Sequence, residues 1–599
     1  MAEYLPPHRD IDFVLDNLVD LDEICQLDTY KHTDPDTLKS VLEEYGRWVA
    51  EQVAPLNRVG DEVGCTHDAA ANTVTTPPGF TDAYAQYVEA GWGAVPFPAD
   101  YGGGGFPWLM GIAMQELITS ANISLSMCPL LTQGAIDLLL HHGSEEQNEL
   151  YLRRMVSGEW PGTMNLTEPQ AGSDVGALRT RAVRQDDGTY RITGTKIFIT
   201  FGEHDLADNI VHLVLARTPD APPGTKGISL FIVPKYLVDE NGTIGERNDA
   251  QCVSIEHKMG IKASPTCVMS YGEHGGAVGY LVGEENQGMR YMFTMMNNAR
   301  LSVGLQGLAI AERSRQDAVA YARERQQGRA IGAPAGVQSP IVEHPDVRRM
   351  LMTQRALVEA MRAIIYVEAE SIDLANHHPD PDMREVKRDL VELLTPIAKA
   401  WCTDTGVDVT SLTIQIYGGM GYVEESGVAQ HYRDARITPI YEGTNGIQAL
   451  DLVGRKLPMK GGAVVTEFLS MMASLDPVLL RGGPELATVR SRFAEALTTL
   501  ADTTHWVLER GVAAPDDVIA GATPYLRMFS LVTAGWLMAR QAVAAQQHLA
   551  DGTGDPDAMR AKLASARFFC EHLLPAAVSL APAVTSGFDR TMAIPAEYL

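Results

Sequence analysis

The spacing of apolar residues switches along this chain from helical to extended and back to helical, and that order restricts the folds open to it. From about residue 36 to 160 the apolar positions recur at helical spacing, as with Leu38, Val41, Leu42, Tyr45, Trp48 and Val49. Between about 160 and 285 come short β-branched runs, Ile197–Thr200, Val211–Leu215 and Ile228–Val233, separated by Gly, Pro, Asp and Asn. Helical spacing returns from about 286 to 460, and again in the last stretch with Val489, Phe493, Ala496, Leu497 and Leu500. The reading is an α+β protein: an N-terminal α domain over 1–160, a middle antiparallel β domain over 161–285, a helical bundle over 286–460 and an extra C-terminal helical domain over 461–599. Strand–helix alternation is missing, which excludes a doubly wound sheet.

The net charge of −28 repels phosphate backbones, so nucleic acid is not an expected partner. The seven cysteines are scattered, with no C-x-x-C, as expected of reduced thiols in the cytoplasm rather than of a disulfide or zinc framework. The opening MAEYLPPHRDIDFVLDNL mixes charges and prolines and does not read as a signal peptide. No uninterrupted apolar run of membrane-crossing length is apparent, so no integral membrane segment is expected.

Four segments attract chemical interest. The glycine runs Tyr101–Phe106 and Gly418–Tyr422 match neither G-x-G-x-x-G nor a terminal G-K-[ST]; each is a tight loop or a place where a ligand meets the backbone. Met164–Asp174 gathers hydroxyls, glycine and backbone N–H groups in one turn, which serves either as an ordinary capped turn or as a donor set for an anionic or heteroaromatic ligand. In Arg433–Gln448, Glu442 follows an apolar, aromatic run and precedes Gly443, an arrangement open to a turn residue or to a general base with a flat group laid beside it.

Taken together, Leu166-Thr167-Glu168-Pro169, Ala171-Gly172-Ser173-Asp174, Lys196–Thr200, Gln415–Tyr422 and Tyr441-Glu442-Gly443-Thr444 resemble, in order and spacing, the acyl-CoA dehydrogenase flavoprotein family. The resemblance covers about residues 36–460; the N-terminal segment and helical tail resemble the long bacterial branch that includes fatty acyl-CoA and 3-(methylthio)propionyl-CoA dehydrogenases. It implies FAD as cofactor and α,β-dehydrogenation of an acyl-CoA thioester to a trans-2-enoyl-CoA. Glu442 would remove the α-proton as a hydride leaves the β-carbon for flavin N5, and electrons would pass to an electron-transfer flavoprotein. The thioester oxygen would be held by the base's own N–H and a flavin ribityl hydroxyl.

Carried over position by position, Met164, Leu166, Thr167, Gly172, Ser173, Phe198, Ile199 and Thr200 would contact the cofactor, with Thr167 at the pyrimidine side and Thr200 at N5. Phe198 stands where many relatives have Trp. Ser173 would also lie near the acyl-CoA, together with Asn297, Arg300 and Gly443, while Thr444 and Asn445 would border the flavin. Arg325, Gln415, Gly418 and Gly419 would serve the FAD of a neighbouring subunit in a homodimer or tetramer, the arginine through forked bonds to the pyrophosphate.

No metal is expected: His377-His378 lacks helical ligand spacing and a third ligand. Two alternatives use the same scaffold. An acyl-CoA oxidase would hand electrons to oxygen, and a flavin-bearing DNA-binding protein resembling alkylation-response proteins would need a basic groove, which the net charge disfavours.

Overall fold

A computed structural model describes residues 2–599. The chain forms two compact units, one of Glu43–Ser302 and one joining the N-terminal segment through Leu42 to Val303–Leu599.

In the first unit, helices α1 (Trp108–Ala121) and α2 (Ile123–His142) accompany an eight-stranded sheet. Its strands are β1 (Gly162–Asn165), β2 (Arg181–Arg184), β3 (Tyr190–Thr200), β4 (Val211–Ala216), β5 (Ser229–Pro234), β6 (Ala250–Ile255), β7 (Thr266–Tyr271) and β8 (Ala277–Leu281). They run in the order β6-β7-β3-β8-β5-β4-β1, with β2 also on β3. The sheet is mostly antiparallel, as expected, with one parallel pair: β1 lies along β4, Gly162 opposite Val211 through Asn165 opposite Val214. A parallel neighbour needs a long crossover, and the chain between β1 and β4 supplies it by making β2 and β3 on the way.

Every residue of β4 and β5 is buried, as continuous apolar runs covered on both faces should be. Their side chains alternate between two cores. Leu213, Leu215, Leu230 and Ile232 meet Leu130, Leu131, Ala135 and Ile136 of α2, while Val214, Ala216, Phe231 and Val233 meet Ala182, Ile192 and Tyr271.

The second unit is helical: α3 (Gly288–Glu324, from Val303 on), α4 (Pro345–His377), α5 (Pro381–Tyr417), α6 (Val428–Ala435), α7 (Asn445–Asp451), then α8 (Ala487–Ala513), α9 (Ala522–Asp551) and α10 (Pro556–Phe568). Proline opens α4, α5 and α10, where its missing N–H costs nothing, and Asp380 and Asp555 cap α5 and α10 by accepting from the second helical N–H. α3 and α5 meet at glycines: a Cβ on Gly307 would stand 2.2 Å from the Cys402 carbonyl oxygen. The N-terminal segment is riveted into this unit. Buried Lys562 on α10 reaches Asp10 at 2.7 Å and Glu359 on α4 at 3.0 Å, and Tyr30 donates to Asp373 at 2.8 Å.

The seven cysteines are all free. By length and composition alone, three helical stretches, Ile123–His142, Met459–Arg481 and Pro556–Thr585, are long and apolar enough on average to cross a membrane, although none is an uninterrupted apolar run. The first owes its apolarity to burial on all sides within its own unit. The last is punctuated by Pro575 and Pro582.

Candidate active site

Glu442 lies on the short connection between α6 and α7. It takes φ +58°, and Gly443 follows at +79°, so two left-handed residues stand in succession. For glutamate that conformation costs about 1–2 kcal/mol, and strain of this kind persists only where the surroundings impose it. The surroundings are specific. Gln448, fully buried one turn into α7, donates its side-chain amide to the carbonyl oxygens of Glu442 and Gly443 at 3.4 and 3.3 Å. Tyr441 donates its hydroxyl to buried Gln306 on α3, and burial pushes that phenol well above its usual range. Thr444 caps α7, accepting from the Ile447 N–H, which leaves its hydroxyl proton to donate.

Asn445, expected at the cofactor, spends its side chain elsewhere. Its amide nitrogen donates to the Ala400 carbonyl, Thr403 and Asp404 on α5 at 2.8–3.0 Å, and its oxygen accepts from the buried Lys399 ammonium at 2.8 Å. The side chain therefore anchors α7 to α5 and is not available to a ligand.

The other unit carries the Met164–Asp174 turn beside strand β3, joined through the Ile197 N–H to the Thr167 carbonyl at 2.9 Å. Glu168 is buried here and does no exposed chemistry. It accepts from Lys196 at 2.8 Å, from the Thr180 hydroxyl and N–H, and from the Arg179 N–H, while Lys196 also donates to the Leu166 carbonyl. Burial alone would raise the Glu168 carboxyl; the Lys196 ammonium and the Thr180 and Arg179 donors outweigh it and hold it at about 2.

Two residues further, β3 bulges. Cys267 pairs with Ile199 but Met269 with Lys196, so Ile197 and Phe198 together face the single residue Val268. Phe198 sits at the bulge with φ +60° and is 59% exposed. A strained, solvent-facing aromatic at a bulge, flanked by the half-buried hydroxyls of Thr167 and Thr200, suits a flat heteroaromatic ligand. Gly172 and Ser173 are exposed on the turn, and a Cβ on Gly172 would meet nothing. Leu166 and Ile199 point into the cores and Met164 packs against one of them, so their side chains serve the sheet. On the first turns of α3, Arg300 is buried, donates to Asn297 at 3.1 Å and lies over the Phe293 ring, whereas Asn297 is exposed.

Back in the helical unit, Tyr321 near the end of α3 stacks on Tyr417 at the end of α5, ring centroids 3.9 Å apart. This brings Arg325, Gln415, Gly418 and Gly419 to one exposed end, where Cβ atoms on either glycine would meet open space. His377 lies 3.3 Å from the Thr29 hydroxyl and edge-on to Tyr30; among the described residues no cluster suits a metal ion.

Comparison with known proteins bears on both of these regions. Profiles described as acyl-CoA dehydrogenase N-terminal, middle and C-terminal domains match residues 36–159, 163–273 and 286–457, and one described as acetyl-CoA dehydrogenase C-terminal like matches 463–595. A 3-methylmercaptopropionyl-CoA dehydrogenase of Ruegeria pomeroyi is 48% identical, covering 95% of this chain and 96% of that one. The chain belongs to the acyl-CoA dehydrogenase family. The broad-specificity linear acyl-CoA dehydrogenase FadE5 of Mycobacterium tuberculosis is 36% identical to this dehydrogenase over 96% of each chain. An acyl-CoA dehydrogenase of Bacillus anthracis solved with FAD shares the fold, with TM-score 0.73, 21% identity and coverage of 97% and 92%. Family membership implies a flavin cofactor and oxidoreductase chemistry on acyl-CoA.

Proposed function

We propose that this dehydrogenase converts a short acyl-CoA to the trans-2-enoyl-CoA with Glu442 as the base, FAD as cofactor and an electron-transfer flavoprotein as electron acceptor. The observation that carries the reading is the Glu442–Gly443 pair, a carboxylate held in a strained conformation beside a residue with no side chain. FAD, when bound, supplies the hydride acceptor. The chain's own residues do the rest. Glu442 takes the α-proton, its backbone N–H polarises the thioester oxygen, and exclusion of water by the bound substrate strengthens the carboxylate as a base. The residues that would hold the cofactor are Phe198, whose exposed ring would lie against it, Thr167 and Thr200, which would offer it hydroxyls, and Gly172 and Ser173, whose exposed turn would admit its phosphates. Arg300 and Asn297 attend the substrate. Arg325, Gln415, Gly418 and Gly419, on their exposed helix ends, serve the cofactor of a neighbouring copy in a homodimer or tetramer.

The 48% identity to a 3-methylmercaptopropionyl-CoA dehydrogenase supports a short, thioether-bearing acyl group as substrate. Initial rates across straight-chain and thioether acyl-CoAs, with an electron-transfer flavoprotein or oxygen as acceptor, test substrate and acceptor together. We expect the short thioether substrate to lead and peroxide formation to be slow. Fast peroxide release without added acceptor would instead identify an oxidase.

Phe198 allows a separate test of the flavin face. Asparagine tolerates the left-handed region better than phenylalanine, so Phe198→Asn should stabilise the apoprotein by up to about 1 kcal/mol. It should also weaken flavin binding roughly threefold to tenfold through lost stacking. Unfolding of the apoprotein and flavin titration read the two effects independently.

A further inference from the structure

Gln448 is not among the residues that the family resemblance assigns to the reaction, yet its amide grips both residues of the left-handed pair. Its Nε2 donates to the Glu442 and Gly443 carbonyls at 3.4 and 3.3 Å, and no part of the side chain reaches solvent. The space beside Gly443 is taken by that same nitrogen, since a Cβ there would lie 2.9 Å away. The helix that carries Gln448 is fixed in turn. Thr444 caps it, and the Asn445 side chain ties its first turn to Lys399, Ala400, Thr403 and Asp404 on α5. A continuous set of contacts thus runs from the interior of α5 through α7 to the two carbonyls whose directions set where the Glu442 side chain leaves the backbone.

We infer that Gln448 is a positioning residue for the base: it holds the Glu442–Gly443 peptides in the left-handed orientation that aims the carboxylate, without touching the reacting atoms. The inference rests on Glu442 being the base. Without the two N–H donors the pair is free to relax toward ordinary backbone angles, and a displacement of about 1 Å in a reacting group lowers rates about 10²-fold.

The test uses two holoenzymes. Gln448→Leu keeps approximate shape and removes the donors; Gln448→Glu keeps size and turns an oxygen toward the carbonyls. The first-order rate of flavin bleaching by acyl-CoA without oxygen should fall about 10–100-fold in both. Acyl-CoA affinity and flavin content should change by no more than about twofold, because neither ligand is contacted. Amide hydrogen exchange over residues 441–444 should quicken while the rest of α5 and α7 keeps its protection, a readout independent of the chemistry. Should the leucine variant lose its fold, the glutamate variant carries the same test. With Glu442→Gln inactive as a control, wild-type bleaching or unchanged exchange at 441–444 in the Gln448 variants overturns this inference alone. A Glu442→Gln control that bleaches at the wild-type rate overturns the assignment of the base itself.

Discussion

Glu442→Gln should slow anaerobic bleaching of the bound flavin by acyl-CoA about 10²–10⁴-fold, the range that a positioned general base contributes. Glutamine keeps the shape of the side chain and the backbone contacts from Gln448, so the left-handed pair, the α7 cap and the flavin content should survive. Only the capacity to accept a proton is lost. Acyl-CoA should therefore still bind, and the loss should fall on kcat far more than on KM, as expected of an interaction expressed in the transition state. A wild-type bleaching rate in the variant would place the base elsewhere.

How legible this was in the sequence depended on whether a residue's role was local. Glu442 and the Leu166–Asp174 turn were proposed as site residues because four short motifs follow one another in a fixed order, and the succession of α, β and α layers followed from hydrophobic period alone. What stayed hidden was long-range pairing and backbone conformation. Glu168 reads as one polar residue in a ligand-binding turn, but its partners Thr180 and Lys196 lie just before β2 and within β3, and only the folded sheet brings them together. The strain at Phe198 and Glu442 has no sequence signature, since positive φ is advertised by glycine and neither residue is one. Asn445 looked like a cofactor contact because it adjoins Thr444; its side chain turned inward because α5 presents a lysine, an aspartate and a threonine to it. The parallel β1–β4 pairing escaped for a related reason, since strand direction depends on a crossover far longer than any periodicity window.

The buried ion pair beneath the Met164–Asp174 turn gives the second large effect. Lys196→Met removes the counter-charge but leaves Glu168, so a carboxylate 3% exposed must stay charged on the Thr180, Arg179 and Gln170 donors alone or take up a proton. Breaking such a pair costs about 3–5 kcal/mol, and the unfolding midpoint of the sheet-bearing unit should fall by about 5–15 °C at neutral pH. In the wild-type protein Glu168 is held at about 2, below its value in the unfolded chain. Its contribution is therefore complete above the ordinary carboxylate range and fades as pH falls toward 2. In the variant the sign reverses. Burial without Lys196 raises the folded carboxyl, so the protonated form is favoured and the defect should shrink as the medium is acidified from neutrality. Glu168→Gln placed on top of Lys196→Met should recover part of the loss at neutral pH, because no charge then remains buried. Since Lys196 also holds the Leu166 carbonyl, flavin retention should fall with the single variant, and a midpoint within 1–2 °C of wild type would mean that the pair carries little of the unit's stability.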